Sequence, residues 1–173
     1  MLCWELRHQR YRRFRLAPPI LPNLLRMALP KSIIIGSDHA GFHLKEACKA
    51  HLEARGIAVT DVGPATDDSV DYPDFIHPVA SAVEAGEHPL GVVVCGSGQG
   101  ANMTANKHAG IRSALCWRPD LASLSRQHNN ANVLALAERF TAVPDALNIL
   151  DAFLEAEFEG GRHARRVGKI ACA

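Results

Sequence analysis

Short apolar runs alternate with amphipathic segments along this chain from residue 31 to residue 170. The apolar runs, which are rich in β-branched and small residues, predict five β-strands over residues 32–37, 57–62, 90–95, 111–116 and 132–137. Apolar positions spaced three and four residues apart predict helices between and after these strands. The helices are predicted from Leu44 to a stop at Gly56, and over about 73–85, 101–107, 119–127, 143–158 and 162–170. In the first helix, charged residues such as Lys45 are predicted on the polar face.

Strands that alternate with helices of this length indicate βαβ units, and therefore a parallel sheet. Right-handed crossovers leave few topologies for such a chain. We therefore expect one α/β domain: a doubly wound, Rossmann-like, five-stranded parallel sheet with helices on both faces. Ligands of such folds bind outside the carboxyl ends of the strands, so the residues just after each strand are the first candidates for chemistry.

Length and composition narrow the class of protein further. The 173 residues are 47% hydrophobic and 21% charged, which is typical of one globular domain and excludes a disordered or fibrous chain. A net charge of +1 gives no reason to expect a nucleic-acid or membrane partner. The five cysteines are odd in number and widely spaced, and this usage predicts reduced thiols in a cytoplasmic protein.

Residues 1–30 differ in composition from the rest of the chain. They hold six arginines against one glutamate, together with four prolines, and they lack the apolar core of a secretory signal. A transit peptide is one interpretation, although the segment contains no serine. We expect instead an unordered extension, or upstream sequence before a true start at Met27, followed by the domain over residues 31–173.

An acid and an imidazole, Asp38 and His39, follow the first predicted strand. Placed at a strand end, this pair can move a hydroxyl proton or bind an anion. The structural alternative is equally open: Asp38 caps the next helix and His39 lies in an exposed loop.

A cysteine and a glycine-rich loop follow the third strand, in the order Cys95-Gly96-Ser97-Gly98-Gln99-Gly100. Three glycines let the backbone N–H groups converge on one point before a helix, which makes a cradle for an anion. The G-x-G-x-G spacing is a weak dinucleotide signal. A thiolate that these groups stabilise can take a proton from a carbon next to a carbonyl, while they and Ser97 hold the enediolate oxygen. The alternative is that Cys95 is a small buried residue that ends a strand.

Further candidates lie near the fifth strand and in the last helix. His128 can open a sugar ring by acid–base chemistry and Asn129 can bind hydroxyls, although both are also common at helix ends. Arg139 follows the fifth strand. Arg162 and Arg166 lie four residues apart, which suits a clamp for a phosphate dianion as well as a solvated basic helix end. Together these residues predict one carboxyl-end layer that binds a phosphorylated polyol.

Several of these segments occur together in one known family. The motifs are Gly36-Ser37-Asp38-His39-Ala40-Gly41-Phe42, Asp71-Tyr72-Pro73, Cys95-Gly96-Ser97-Gly98-Gln99-Gly100, Ala105-Asn106-Lys107, Ser125-Arg126-Gln127-His128-Asn129 and Gly161-Arg162-His163. On these motifs the chain resembles the ribose-5-phosphate isomerase B family, which also contains galactose-6-phosphate and allose-6-phosphate isomerases. The resemblance covers residues 32 to 170.

The resemblance implies interconversion of an aldose phosphate and its ketose, most simply ribose 5-phosphate and ribulose 5-phosphate, without metal or cofactor. By position, Cys95 is then the base, and Ser97 assists with the backbone of Gly96, Gly98 and Gly100. The resemblance further implies ring opening and hydroxyl binding by Asp38 and His128, a sugar pocket lined by Tyr72, and phosphate binding by His39, Asn129, Arg139, Arg162 and Arg166. It also implies a homodimer with shared active sites, which can pair into a tetramer.

Two alternatives stay open at this point. The first keeps the chemistry and replaces the pentose with a hexose 6-phosphate of allose or galactose, because one hydroxymethyl group changes binding energy only slightly. The second is a non-catalytic nucleotide-binding module that uses the glycine loop as an anion cradle.

Overall fold

Five parallel strands form a single sheet in the computed structural model, which describes residues 29–171. The strands are β1 (Ser32–Ser37), β2 (Ala58–Asp61), β3 (Gly91–Cys95), β4 (Ser113–Leu115) and β5 (Val133–Ala137). Their order across the sheet is β2-β1-β3-β5-β4, and each neighbouring pair is parallel. The predicted fold class is confirmed.

In the described part of the chain, six helices connect and follow the strands. They are α1 (Phe42–Ala54), α2 (Tyr72–Glu84), α3 (Gln99–Ala105), α4 (Pro119–Asn129), α5 (Val143–Glu155) and α6 (Arg162–Val167). Proline in the first turn starts α2, α4 and α5, because its missing N–H is not needed there. Short 3-10 turns follow β1 at His39–Gly41 and β5 at Glu138–Phe140.

Some predicted element bounds were too long. β4 keeps only three residues, because the Arg112 N–H before it donates to the Asn132 side chain rather than to a neighbouring strand. Helix α5 ends at Glu155, and the chain then leaves the helix so that the Glu159 N–H can reach the carbonyl of Gln127. Helix α6 ends at Val167.

Successive strand residues face two helical layers, which is why both faces of the sheet are apolar. Ile33 and Ile35 of β1 pack with α1 and α5, whereas Ile34 packs on the opposite side with α2. Burial of each such side chain contributes about 1.5–3 kcal/mol. Cys95, the last residue of β3, belongs to the layer of α2 and α3.

The connections reverse direction between β1 and β3. From β1 the chain goes outward to β2 on one side and then returns to β3 on the other side. At such a switch point the loops after the two strands separate and leave a crevice at the carboxyl ends. The loop with Asp38 and the loop with Gly96 border this crevice.

The predicted extension over residues 1–30 lies outside the described residues, apart from Leu29 and Pro30. Leu29 packs against the core beside α1 and α5. Cys3 and Cys172 are also outside the described part, and Cys48, Cys95 and Cys116 are free and buried. Over residues 29–171, none of the helices combines the length and the apolar character that a membrane span requires.

Candidate active site

A cavity of about 270 Å³ lies at the switch point between β1 and β3. Most of its wall comes from residues that the sequence singled out. Its lining consists of Asp38, His39, Ala40, Tyr72, Cys95, Gly96, Ser97, Gly100 and Arg139. The structure therefore brings together the predicted groups that follow β1, β3 and β5, with Tyr72 from the start of α2.

Cys95 lies on the inner wall of this cavity and is only 4% exposed. The chain turns away directly after it, because Gly98 takes a left-handed conformation with φ of 71° at the start of α3. A methyl group on Gly98 would lie 3.1 Å from the carbonyl oxygen of Leu136, so the loop sits directly on β5. Ser97 is exposed beside the thiol, and its Oγ accepts a 3.4 Å hydrogen bond from the Gln99 N–H.

Two close backbone contacts shape the cavity. A methyl group on Gly100 would lie 2.8 Å from Cζ of Tyr72, so the Tyr72 ring packs directly on the glycine loop. A methyl group on Gly41 would lie 2.7 Å from the Val94 carbonyl oxygen. The absence of side chains at both glycines therefore lets the loop after β1 and the start of α2 close around Cys95.

Asp38 is a buried carboxylate whose Oδ1 has no hydrogen-bond partner among the described residues. Burial raises the pKa of Asp38, and the N–H groups of Gly41 and Ala40 and the charge of His39 oppose that rise only in part. A carboxyl group with a raised pKa exchanges protons more readily near neutral pH. Asp38 is therefore suited to accept a hydroxyl proton from a ligand.

His39 and Arg139 provide the positive side of the cavity. The Nδ1 of His39 lies 3.1 Å from the carbonyl oxygen and 3.2 Å from the N–H of Val70, so the ring orientation is fixed by backbone. The N–H of Arg139 donates to the carbonyl of Gly96 at 3.0 Å. A methyl group on Gly96 would lie 3.1 Å from Arg139 Nε, which shows that the guanidinium side chain covers the glycine loop. An anion in the cavity would meet both groups.

One prediction is wrong for a single chain, because four of the predicted site residues do not lie at the carboxyl edge of the sheet with Cys95. These residues are His128, Asn129, Arg162 and Arg166. His128 and Asn129 end α4, and α4 runs back toward the start of β5. Helix α6, which holds the two arginines, packs against α4. β5 has five residues and spans about 13 Å, so these groups lie at the opposite edge of the sheet from Cys95. Because a helix in a βαβ unit runs antiparallel to the strands, a helix end that leads into a strand belongs to the amino edge.

This second group includes a cluster that the sequence reasoning missed. The rings of His128 and His163 stack with centroids 4.3 Å apart and an interplanar angle of 4°. Oε2 of Glu159 lies 3.9 Å from Nε2 of His128 and 3.6 Å from Nε2 of His163. The Gly161-Arg162-His163 motif was the only signal for His163, and Glu159 had none.

The cluster of His128, Glu159 and His163 has the residue types of a metal site, since its ligand atoms lie within 4.8 Å of one another. Its geometry does not suit a cation. Nε of Arg162 donates to Nε2 of His163 at 3.3 Å, and two parallel rings do not direct their lone pairs at one point. Burial, followed by the nearby His128 and Arg162, lowers the pKa of His163. His163 is thus a neutral base at pH 7, and the surrounding arginines favour an anion.

An apolar groove of about 350 Å³ adjoins the active-site cavity, with Ser97 common to both. Trp117 and Phe140 line it and are 64% and 78% exposed. Exposed aromatic residues concentrated in one groove are typical of a surface that contacts another chain.

Comparison with known proteins gives matches over almost the whole described domain. The family model described as Ribose/Galactose Isomerase matches residues 33–170. Ribose-5-phosphate isomerase B of Escherichia coli is 47% identical over 140 residues, which cover 81% of this chain and 94% of that protein.

Solved structures are similar in fold as well as in sequence. Ribose-5-phosphate isomerase B of Clostridium thermocellum is 52% identical with a TM-score of 0.80, over 80% of this chain and 94% of that one. The enzyme of Mycoplasma genitalium, solved with bound ribulose 5-phosphate, is 45% identical with a TM-score of 0.77, over 80% of this chain and 93% of that one.

Proposed function

Since this chain belongs to the ribose/galactose isomerase family, we propose that it interconverts ribose 5-phosphate and ribulose 5-phosphate with Cys95 as the base. The observation that carries the proposal is the position of Cys95, buried at the inner wall of a cavity that also holds Asp38, His39 and Arg139. The cavity thus combines a base for carbon, a carboxylate for hydroxyl protons and positive groups for a phosphate.

The reaction moves one proton between neighbouring carbons of the open-chain sugar. The Cys95 thiolate takes the proton from C2 of the aldose, and the electrons of that bond form the C1–C2 double bond of an enediolate. The thiol then returns the proton to C1. The proton that leaves the C2 hydroxyl goes to the former carbonyl oxygen on C1, so that C1 carries a hydroxyl and C2 becomes the ketone. Backbone N–H groups between Gly96 and Gly100, with Ser97, stabilise the oxygen that carries the negative charge.

The site is completed by a second copy of the chain. Within one chain, Arg139 and His39 are the positive groups that line the cavity, and a phosphate dianion would be bound more strongly with further arginines. Arg162 and Arg166 could supply them, but they lie at the far edge of the same sheet. A symmetric dimer that places this far edge over the partner's cavity creates two equal sites. It brings His128 and Asn129 to the sugar, for ring opening and hydroxyl binding, and the apolar groove beside the cavity is a surface that the second copy can cover.

The pentose substrate follows from the relatives, which bear the name ribose-5-phosphate isomerase B. The family model also covers galactose isomerases, so a turnover panel of ribose, allose and galactose phosphates measures the preference directly. A nucleotide-binding module has no support among these relatives. We place the activity in the cytoplasm, where a catalytic thiol stays reduced.

Loss of deuterium from the substrate tests the proposal. Ribose 5-phosphate labelled with deuterium at C2 should release label into water as it turns over. Cys95→Ala should lower kcat by about 10²- to 10⁴-fold, the usual contribution of a positioned base, while inorganic phosphate still binds. Cys48→Ala is the matched control, because this buried thiol belongs to α1, packs in the core and should leave kcat unchanged.

Two results would contradict the proposal. One is complete transfer of the deuterium from C2 to C1 of the ketose without any release into water, as a hydride shift would give. The other is a Cys95→Ala variant that keeps kcat within about tenfold of the original, since a change of that size is only about 1.4 kcal/mol of barrier.

A further inference from the structure

Glu138 connects the start of α1 to the turn that holds Arg139. It is the first residue of the 3-10 turn after β5, and its side chain reaches across to α1. Its Oε2 accepts a 2.9 Å hydrogen bond from the backbone N–H of Leu44. No signal in the sequence pointed to this residue, because the contact joins positions that are 94 residues apart.

Among residues 29–171, no other side chain caps the start of α1. The first N–H groups of a helix have no partner inside the helix, and a nearby negative charge stabilises them. Gly41 at the N-cap has no side chain, and the first turn of α1 contains no acidic residue. Glu138 therefore supplies from another element both the acceptor and the charge that a local capping residue would provide.

The same short segment is attached to the glycine loop. Directly after Glu138, the N–H of Arg139 donates to the carbonyl of Gly96 at 3.0 Å. On the other side, α1 follows directly from the turn in which the Gly41 N–H donates to the Asp38 carbonyl at 3.2 Å. Two hydrogen bonds from neighbouring residues thus hold together the Asp38 loop, the glycine loop and the Arg139 turn.

The negative charge of the Glu138 carboxylate lies next to Arg139, which is proposed to bind the phosphate, and this charge has to be compensated. A free negative charge next to Arg139 would repel a phosphate dianion, whereas a carboxylate held by the Leu44 N–H at a helix start is already compensated. We propose that Glu138 is a positioning residue that sets the place of Arg139 relative to Asp38 and His39, and thereby the affinity for the substrate phosphate. The effect on affinity rests on the proposed function, whereas the coupling of the two hydrogen bonds does not.

Two variants and a control separate the possible roles of Glu138. Glu138→Ala removes the acceptor and the charge, and Glu138→Gln keeps an acceptor oxygen. Glu87→Ala removes an equal charge from an exposed loop that precedes β3 at the amino edge. We expect Glu138→Ala to raise KM for ribose 5-phosphate about tenfold with kcat within about twofold, as the loss of one charge-assisted hydrogen bond implies. Glu138→Gln and Glu87→Ala should stay near the original values.

Amide hydrogen exchange gives a second readout that does not depend on turnover. In Glu138→Ala, the amides of Leu44 and Arg139 should both exchange about tenfold faster, whereas Glu138→Gln should protect both. If the alanine variant does not fold, Glu138→Asp replaces it, because its shorter side chain cannot reach Leu44.

Several outcomes would overturn the inference. One is an unchanged KM in Glu138→Ala. Another is a KM that falls in both Glu138→Ala and Glu138→Gln, which is what simple repulsion of the phosphate by Glu138 would produce. A third is a Glu138→Gln variant with the same KM as Glu138→Ala. Faster exchange at Leu44 without any change at Arg139 would also overturn it. An unmodified enzyme without isomerase activity would refute the proposed function instead, and the exchange measurements would still decide the coupling.

Discussion

Two inactive variants should restore each other's activity when they share a dimer. Cys95→Ala removes the proposed base from one edge of the sheet, and His128→Asn removes the proposed ring-opening group from the other edge. About 13 Å of strand separates these edges, which is farther than a histidine side chain can reach. In the proposed dimer, the two groups of one chain therefore serve different sites. Each variant alone should lose activity by about 10²- to 10⁴-fold.

The expected recovery follows from symmetry. When the two variants are co-expressed in equal amounts, half of the dimers contain one chain of each kind. In each mixed dimer, one site lacks both groups and the other has the intact Cys95 and the intact His128. The mixture should therefore show about a quarter of the original activity per chain, and mixed dimers isolated with two different tags about half.

Ribose 5-phosphate turnover of purified dimers is the assay, and a pair of variants from the same edge is the control. Cys95→Ala combined with Asp38→Asn should stay inactive, because both changes fall on the same cavity and one of them is present in every site. If Cys95→Ala and His128→Asn together gave no more activity than either alone, the shared site would be refuted. Full activity of His128→Asn by itself would equally refute it.

The cavity supports two further predictions. Gly98→Ala should lower the free energy of unfolding by about 1 kcal/mol more than Gly86→Ala: both glycines have positive φ, but only the first would place its methyl group against the Leu136 carbonyl. Equal losses in denaturant titrations of the two variants would contradict this. Burial raises the pKa of Asp38 in the folded protein above its value in the unfolded chain. At a pH above the raised pKa, ionised Asp38 therefore lowers the free energy of unfolding, and this destabilisation is lost as the pH falls to the unfolded-state pKa. Asp38→Asn should therefore have a higher Tm than the original protein at pH 7 but not below about pH 4, with loss of turnover; an equal Tm at pH 7 would contradict this.

The sheet and one half of the site could be predicted from local pattern. Strands such as β1 and β3 are short, apolar and buried on both faces, so their signal does not depend on distant contacts. Because parallel strands end at the same edge, the residues after β1, β3 and β5 could be expected to meet. The cavity with Asp38, Cys95 and Arg139 confirms that expectation.

Contacts between distant segments could not be predicted. Lys45 was expected on the polar face of α1, yet its side chain is fully buried, with Nζ 2.7 Å from Oδ2 of Asp61. Burial alone would raise the pKa of Asp61, but the hydrogen bonds from Lys45, Gly63 and Lys49 lower it. The stacking of His163 on His128 likewise depends on where α6 docks, and neither helix pattern specifies that position.

The burial of the cysteines has a consequence for chemical labelling. Burial raises the pKa of Cys48 to about 12 and that of Cys116 to about 11, so both remain protonated and unreactive at neutral pH. Cys95 is reached through the cavity instead. Among the cysteines of residues 29–171, Cys95 is thus the one that a small alkylating reagent reaches, so the fraction alkylated at Cys95 would report vacant sites. A bound sugar phosphate would shield this sulfur from peroxide as well as from the reagent.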